Sequence, residues 1–175
     1  MTLLVKGLVI AAVHVGLVAS LGAKLLYDRA TLPRVWGLTT PYDPNLPIRG
    51  RYVSLQLVVE PHGVRETKPG LVSQQPQPIN LRVEGDRLVA EAAARPEDYD
   101  PSDLHLRFID RRGDKLAVLA EPVAFFIPEH IPDPSRRQQG EELWAEVTIP
   151  QKGLPRPIRL GVKKDDSPIM PLRLR

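Results

Sequence analysis

The sequence predicts a mainly β protein: one amino-terminal transmembrane helix, then an antiparallel β barrel or sandwich of about seven or eight strands. Three observations predict it. A single long apolar run stands at the start, nineteen prolines follow through the chain, and the segments between those prolines alternate apolar and polar residues. Proline removes an amide donor and clashes with the preceding helical turn, which argues against a helical domain. Alternation with period two is the signature of a strand with one buried face.

The apolar run extends from Leu3 to about Tyr27, and between Lys6 and Lys24 only His14 and Ser20 are polar. At about 1.5 Å per residue it covers a hydrocarbon core of roughly 30 Å, so residues 1–30 read as a membrane anchor and a lipid bilayer as a partner. Ser20-Leu21-Gly22 offers small residues at both positions of a signal-peptide cleavage site. Apolar character resumes at Leu25-Leu26, however, and Tyr27 suits the membrane interface, so retention of the helix is the expectation. Ala12, Gly16 and Ser20 recur every four residues, a small-residue stripe that lets a second helix approach. His14, on another side of the helix, is costly in lipid unless a partner satisfies its ring.

Residues 31–50 read as a proline-rich stem. Pro41, Pro44 and Pro47 each fix φ and disfavour helix in the residue before, which gives a stiff extended connection. Asp43 caps a turn, Gly50 supplies a permissive backbone, and Tyr52 opens the first strand. A functional alternative makes Asp43, Arg49, Arg51 and Tyr52 a binding face.

The β domain is expected over residues 51–175. Residues 51–60 place Val53, Leu55, Leu57 and Val59 on one face. Three hairpins are predicted: 79–83 with 88–92 about Gly85, 104–109 with 115–126 about Gly113, and 143–149 with 157–162 about Gly153. Residues 172–174 add a short last strand. The intervals 61–78 and 95–103 are too rich in turn formers for regular structure.

Composition excludes several functions. The absence of cysteine removes disulfides, thiolate zinc sites and thiol catalysis. Beyond residue 30 the chain holds 21 basic and 20 acidic residues, without the concentrated basic face that nucleic-acid binding needs. No phosphate-cradling glycine loop or nucleophile elbow occurs. Glu129, following an apolar strand and close to His130 and Asp133, offers three polar groups within five positions, but the spacing matches no established metal site. No metal and no cofactor are expected. His62 and His105 read as surface residues.

Thr39 to Leu55, with Pro41, Asp43, Pro44, Gly50, Tyr52 and Leu55, resembles the hallmark of the GDYXXLXY family of bacterial membrane-anchored proteins. Arg51 stands where that motif has Asp, and Leu57 where it ends in Tyr. Phe125-Phe126-Ile127-Pro128-Glu129 resembles the family's aromatic-Pro-Glu block, and the layout of 143–160 follows suit. The resemblance implies no established activity. It implies a setting beside multi-spanning membrane proteins, in the bacterial inner membrane, with the β domain outside the cytoplasm. Lys and Arg near the helix ends weakly favour the opposite orientation, and we follow the resemblance. The expected function is a non-enzymatic, single-pass membrane-tethered module that binds, stabilises or regulates a membrane-protein partner, with Asp43, Gly50, Arg51, Tyr52, Leu55, Phe126, Pro128 and Glu129 as binding candidates. The alternative is an envelope hydrolase or small-ligand-binding domain using carboxylates around Glu129.

Overall fold

The computed structural model describes residues 3–42, 52–64, 77–93, 103–111 and 113–174. The chain divides into two compact units, Met1–Leu32 and Pro33–Arg175.

The first unit is α1, Leu3–Thr31, a helix of 29 residues and about 43 Å. It is long and apolar enough to cross a membrane, a test that a signal sequence also passes. The helix satisfies His14 within itself: the ring Nδ1 lies 2.8 Å from the carbonyl of Ile10. A carbonyl can only accept, so Nδ1 carries the proton in this bond. At the end, Thr31 Oγ1 donates to Tyr27 O, and the Leu32 amide to Asp28 O.

The second unit is built of strands β1 (Arg34–Pro41), β2 (Tyr52–Leu57), β3 (Glu60–His62), β4 (Gln77–Glu84), β5 (Arg87–Ala92), β6 (Leu104–Arg111), β7 (Asp114–Leu119), β8 (Val123–Phe126), β9 (Glu141–Thr148), β10 (Arg156–Lys164) and β11 (Met170–Pro171). They form a six-stranded sheet, β11-β10-β9-β1-β2-β8, and a five-stranded sheet, β3-β5-β4-β6-β7. Every pairing is antiparallel except β3 with β5. A Val58–Val118 bridge and a hydrogen bond from the Val59 amide to Ala117 O join the sheets where β2 leaves β1. β10 also packs near β8, from the other side of its own sheet, so the sheet curls. The mainly β, barrel-or-sandwich class is as the sequence predicts.

The three hairpins form about Gly85, Gly113 and Gly153, each with positive φ. Gly85 (φ 63°) is the first central residue of a two-residue loop, where a type II′ turn needs glycine. Several expectations differ from what forms. The last strand, expected over 172–174, is β11 at Met170–Pro171, and β3 and the start of β4 enter the interval 61–78 that was expected to be irregular. The strand expected over 115–126 is two strands, broken at Ala120-Glu121-Pro122, because Pro122 cannot donate to a ladder. The stem expected over 31–50 is displaced by β1 over residues 34–41, inside the sheet. Pro41 is compatible with that place because it comes after the β1–β9 ladder has ended at Leu38. Residues 43–50, with Asp43 and Gly50, lie outside the described residues, as does Arg51.

One face of each sheet lines a shared core of Val35, Val53, Leu55, Leu57, Leu106, Leu119, Val147, Leu160 and their neighbours. Gly37 lies on that side of β1, where a Cβ would stand 3.2 Å from Leu57 Cδ2, so leucine fills the space a side chain would take. Two buried polar side chains bond to carbonyls of other strands: Thr39 Oγ1 donates to Leu143 O at 2.8 Å, and Gln56 Nε2 to Leu119 O at 3.1 Å.

On the opposite face of the six-stranded sheet, Gly161 leaves room for Trp36. A Cβ there would meet Ile169 Cγ2 at 2.7 Å and the Trp36 ring at 2.9 Å. An indole cannot flex aside, so overpacking is the consequence, typically about 1–3 kcal/mol. Gly161→Ala is therefore expected to lower Tm by roughly 3–10 °C and to shift tryptophan fluorescence. An unchanged Tm and spectrum would mean that Trp36 does not lie against Gly161.

Candidate functional site

The register of the six-stranded sheet decides which side chains leave the core. Trp36 stands beside Glu146 and Arg159, and Leu38 beside Trp144 and Gly161. Thr40 stands beside Gln56, and Tyr52 beside Phe126. This face thus carries both tryptophans of the chain together with Tyr52 and Phe126.

Cations lie over three aromatic rings. The Arg159 guanidinium is 5.4 Å from the Trp36 centroid, Lys163 Nζ 5.8 Å from Trp144, and the Arg107 guanidinium 5.9 Å from Tyr42. Each is anchored or framed by polar bonds. Arg159 Nε donates to Glu146 Oε2 at 2.5 Å, and Trp144 Nε1 to Glu142 Oε2 at 3.2 Å. Arg107 donates to Gln56 Oε1 at 3.0 Å while its Nε is buried without a partner. Such pairs are worth about 0.5–1 kcal/mol when exposed, so their effect is chiefly to hold the rings in place.

Tyr52 and Phe126 differ from these three rings in that, among the described residues, no cation lies over them. Their ring centroids are 6.2 Å apart at a tilt of 58°, and Phe126 is 77% exposed. They sit where β2 begins and β8 ends, adjoining Ile127 and Pro128. A large aromatic left this open stands out against the buried aliphatic core.

The candidate residues separate on this geometry. Tyr52 and Phe126 come together, Pro128 is half-buried two residues on, and Glu129 is exposed. Leu55 is fully buried, at 0% exposure, and belongs to the core. Asp43, Gly50 and Arg51 fall outside the described residues. Asp133 accepts hydrogen bonds from the amide and hydroxyl of Ser135, at 2.9 and 2.8 Å, which closes a local turn. Among the described residues no group of three His, Asp or Glu side chains is arranged to hold a metal ion. In the helix, Ala12, Gly16 and Ser20 are exposed, and Ser20 Oγ donates to Leu17 O at 2.8 Å.

Sequence reasoning missed one dyad. His105 Nδ1 lies 2.7 Å from Glu121 Oε1, and Glu121 Oε2 accepts the His105 amide at 3.1 Å. The β6–β7 register could have found it, since extending the ladder sets His105 opposite Ala120, beside Glu121. The pair clasps the break between β7 and β8, and no hydroxyl nucleophile bonds to His105 among the described residues.

Among the described residues, two of the clefts bear on the charged groups of this domain. The first, about 760 Å³, is bounded by Trp36, Trp144 and Lys163, by Ile169, and by Glu60 and Arg87. Glu60 and Arg87 pair with each other across it, at 3.3 Å. The second, about 610 Å³, is bounded by Arg111, Arg137, Glu141, Glu142 and Asp165. Neither brings Glu129 together with a second carboxylate. Comparison with known protein families, with curated proteins and with solved structures finds no match.

Burial separates structural from available candidates, and stability measures that. Leu55→Ala is expected to cost about 2–5 kcal/mol, and Phe126→Ala less than about 1 kcal/mol, by denaturant unfolding. Equal costs would contradict the assignment of Phe126 to an open face.

Proposed function

We propose that this chain is a membrane-tethered, non-enzymatic β module whose open aromatic corner, Tyr52 with Phe126, contacts a multi-spanning membrane protein. The observation that carries the reading is the exposure of Phe126 beside half-buried Tyr52, an aromatic pair with no cation over it among the described residues. Aromatic residues dominate interface energetics because they bury large area with few rotatable bonds. α1 supplies the tether, and its exposed Ala12-Gly16-Ser20 stripe permits a helix contact in the bilayer. The resemblance to the GDYXXLXY family supports a bacterial inner-membrane setting with the β domain outside the cytoplasm. A carboxylate hydrolase built on Glu129 has less support, because Asp133 is engaged by Ser135 and Glu129 is exposed, with no metal-holding group of side chains among the described residues.

A photo-crosslinking amino acid in place of Phe126, in the full chain in its native membrane, tests this directly. The expected product is one discrete adduct with a membrane protein, lost on Tyr52→Ala and absent when the probe replaces Arg82 on the other sheet. Adducts of the same pattern from both positions, or none from position 126, would refute the aromatic corner as a docking site. Because the chain has no cysteine, Ser167→Cys gives a topology probe. Labelling by an impermeant maleimide without opening the inner membrane is expected, and labelling only after lysis would reverse the orientation.

A further inference from the structure

We propose that the edge of β1 turned away from β9, at Trp36 and Leu38, takes an extended segment of a partner polypeptide, which adds a strand beside β1 inside the first cleft. Every residue involved belongs to the β unit, and the site is separate from the aromatic corner.

The phase of the ladder decides which backbone groups are open. The Ile149 amide donates to Pro33 O at 3.2 Å, so Pro33, Val35 and Gly37 turn their backbone groups toward β9. Trp36 and Leu38 turn theirs the other way, because successive residues of a strand alternate. On that side β2 pairs with β1 only from Thr39 onward. Leu38 O accepts the Val58 amide at 2.9 Å, and the chain then leaves β1 and runs on to β3, beside β5. Among the described residues, the Trp36 N–H and C=O and the Leu38 N–H have no hydrogen-bond partner. Such groups are rare inside a sheet, and a row of them on a strand edge is a template for another chain.

The space in front of these groups is the first cleft. Val35 and Gly37 lie on the core face of β1, Trp36 and Leu38 on the opposite face, and all four border the same cleft of about 760 Å³. Two faces of one strand share a cleft only where the edge between them is open. Leu88, at the start of β5, borders the cleft on the core side, and Ile169 borders it on the other. A strand laid against β1 would turn alternate side chains toward Leu88 and toward Ile169, which gives two apolar seats at the two-residue period. The open groups run donor, acceptor, donor along residues 36–38, an order that a peptide backbone repeats and a sugar or nucleotide does not. The guest would also continue the place that β2 holds beside residues 39–41, extending a ladder already present. In strand addition of this kind the main-chain bonds supply affinity and the alternate seats supply selectivity, here for apolar side chains.

The test uses the full chain in nanodiscs and a display library of random heptapeptides, from which selected sequences are synthesised. In the free protein, the Trp36 and Leu38 amides are expected to exchange about tenfold faster than those of Val35 and Gly37. Selected peptides are expected to carry apolar residues and, at saturation, to slow exchange at Trp36 and Leu38 about tenfold. N-methylation of every second peptide amide is expected to weaken binding about tenfold in one phase and little in the other, because only one set faces β1. Phe126→Ala is expected to leave the affinity unchanged, which keeps this result distinct from failure of the aromatic corner. Trp36 and Leu38 amides as slow as Val35 in the free protein, no selected peptide, or binders that leave both amides exchanging as before would each overturn the proposal. Protection that grows with protein concentration in the absence of peptide would assign the edge to a second copy of this chain and overturn it as well.

Discussion

β1 takes the centre of the six-stranded sheet one residue after the helix unit ends, and the remaining architecture depends on that placement. Its first half is laddered to β9 and its last residues to β2. Val35 packs in the core, Gly37 gives its side-chain space to Leu57, and Thr39 Oγ1 ties the strand to Leu143 O. The partners lie far apart in sequence: Arg34 meets Thr148, and Thr39 meets Leu57. Such long loops must close before their contacts are gained, so the sheet assembles only when distant segments meet. Residues 34–41 therefore belong to the β unit itself and not to a spacer before it.

The two faces of this sheet follow different chemistry. The core face is aliphatic. The other face sets tryptophans against Arg159 and Lys163, pins those groups with Glu146 and Glu142, and presents Phe126 exposed beside Tyr52. The polar groups on it mostly bond to each other in pairs, an arrangement suited to shaping a surface rather than to moving protons. This is why we place the proposed partner contact at the aromatic corner and assign no role in chemistry to the carboxylates.

Much of the fold was legible in the sequence. The apolar run marks α1, positive-φ glycines mark the three hairpins, and alternation in 51–60 separates Val53, Leu55 and Leu57 from the other face. β1 was hidden because Arg34-Val-Trp-Gly-Leu-Thr-Thr40 is packed on both faces, so its polar and apolar residues do not alternate. The stem reading rested on Pro41, Pro44 and Pro47, and of these only Pro41 falls within β1. The site was less legible still. Tyr52 and Phe126 were both candidates, but their adjacency depends on β2–β8 register, and Leu55 shared their motif while belonging to the core. The His105–Glu121 pair depends on a strand break that alternation alone does not mark.

Native-state hydrogen exchange at β1 tests the central claim most directly. The Ile149–Pro33 bond sets the ladder phase, so Val35 and Gly37 direct their amides toward β9. These two amides are expected among the slowest in the protein, exchanging with the same opening free energy as Val147 in β9. Exchange at Val35 and Gly37 at the rate of an open chain, with Val147 still protected, would return residues 34–41 to a stem outside the sheet.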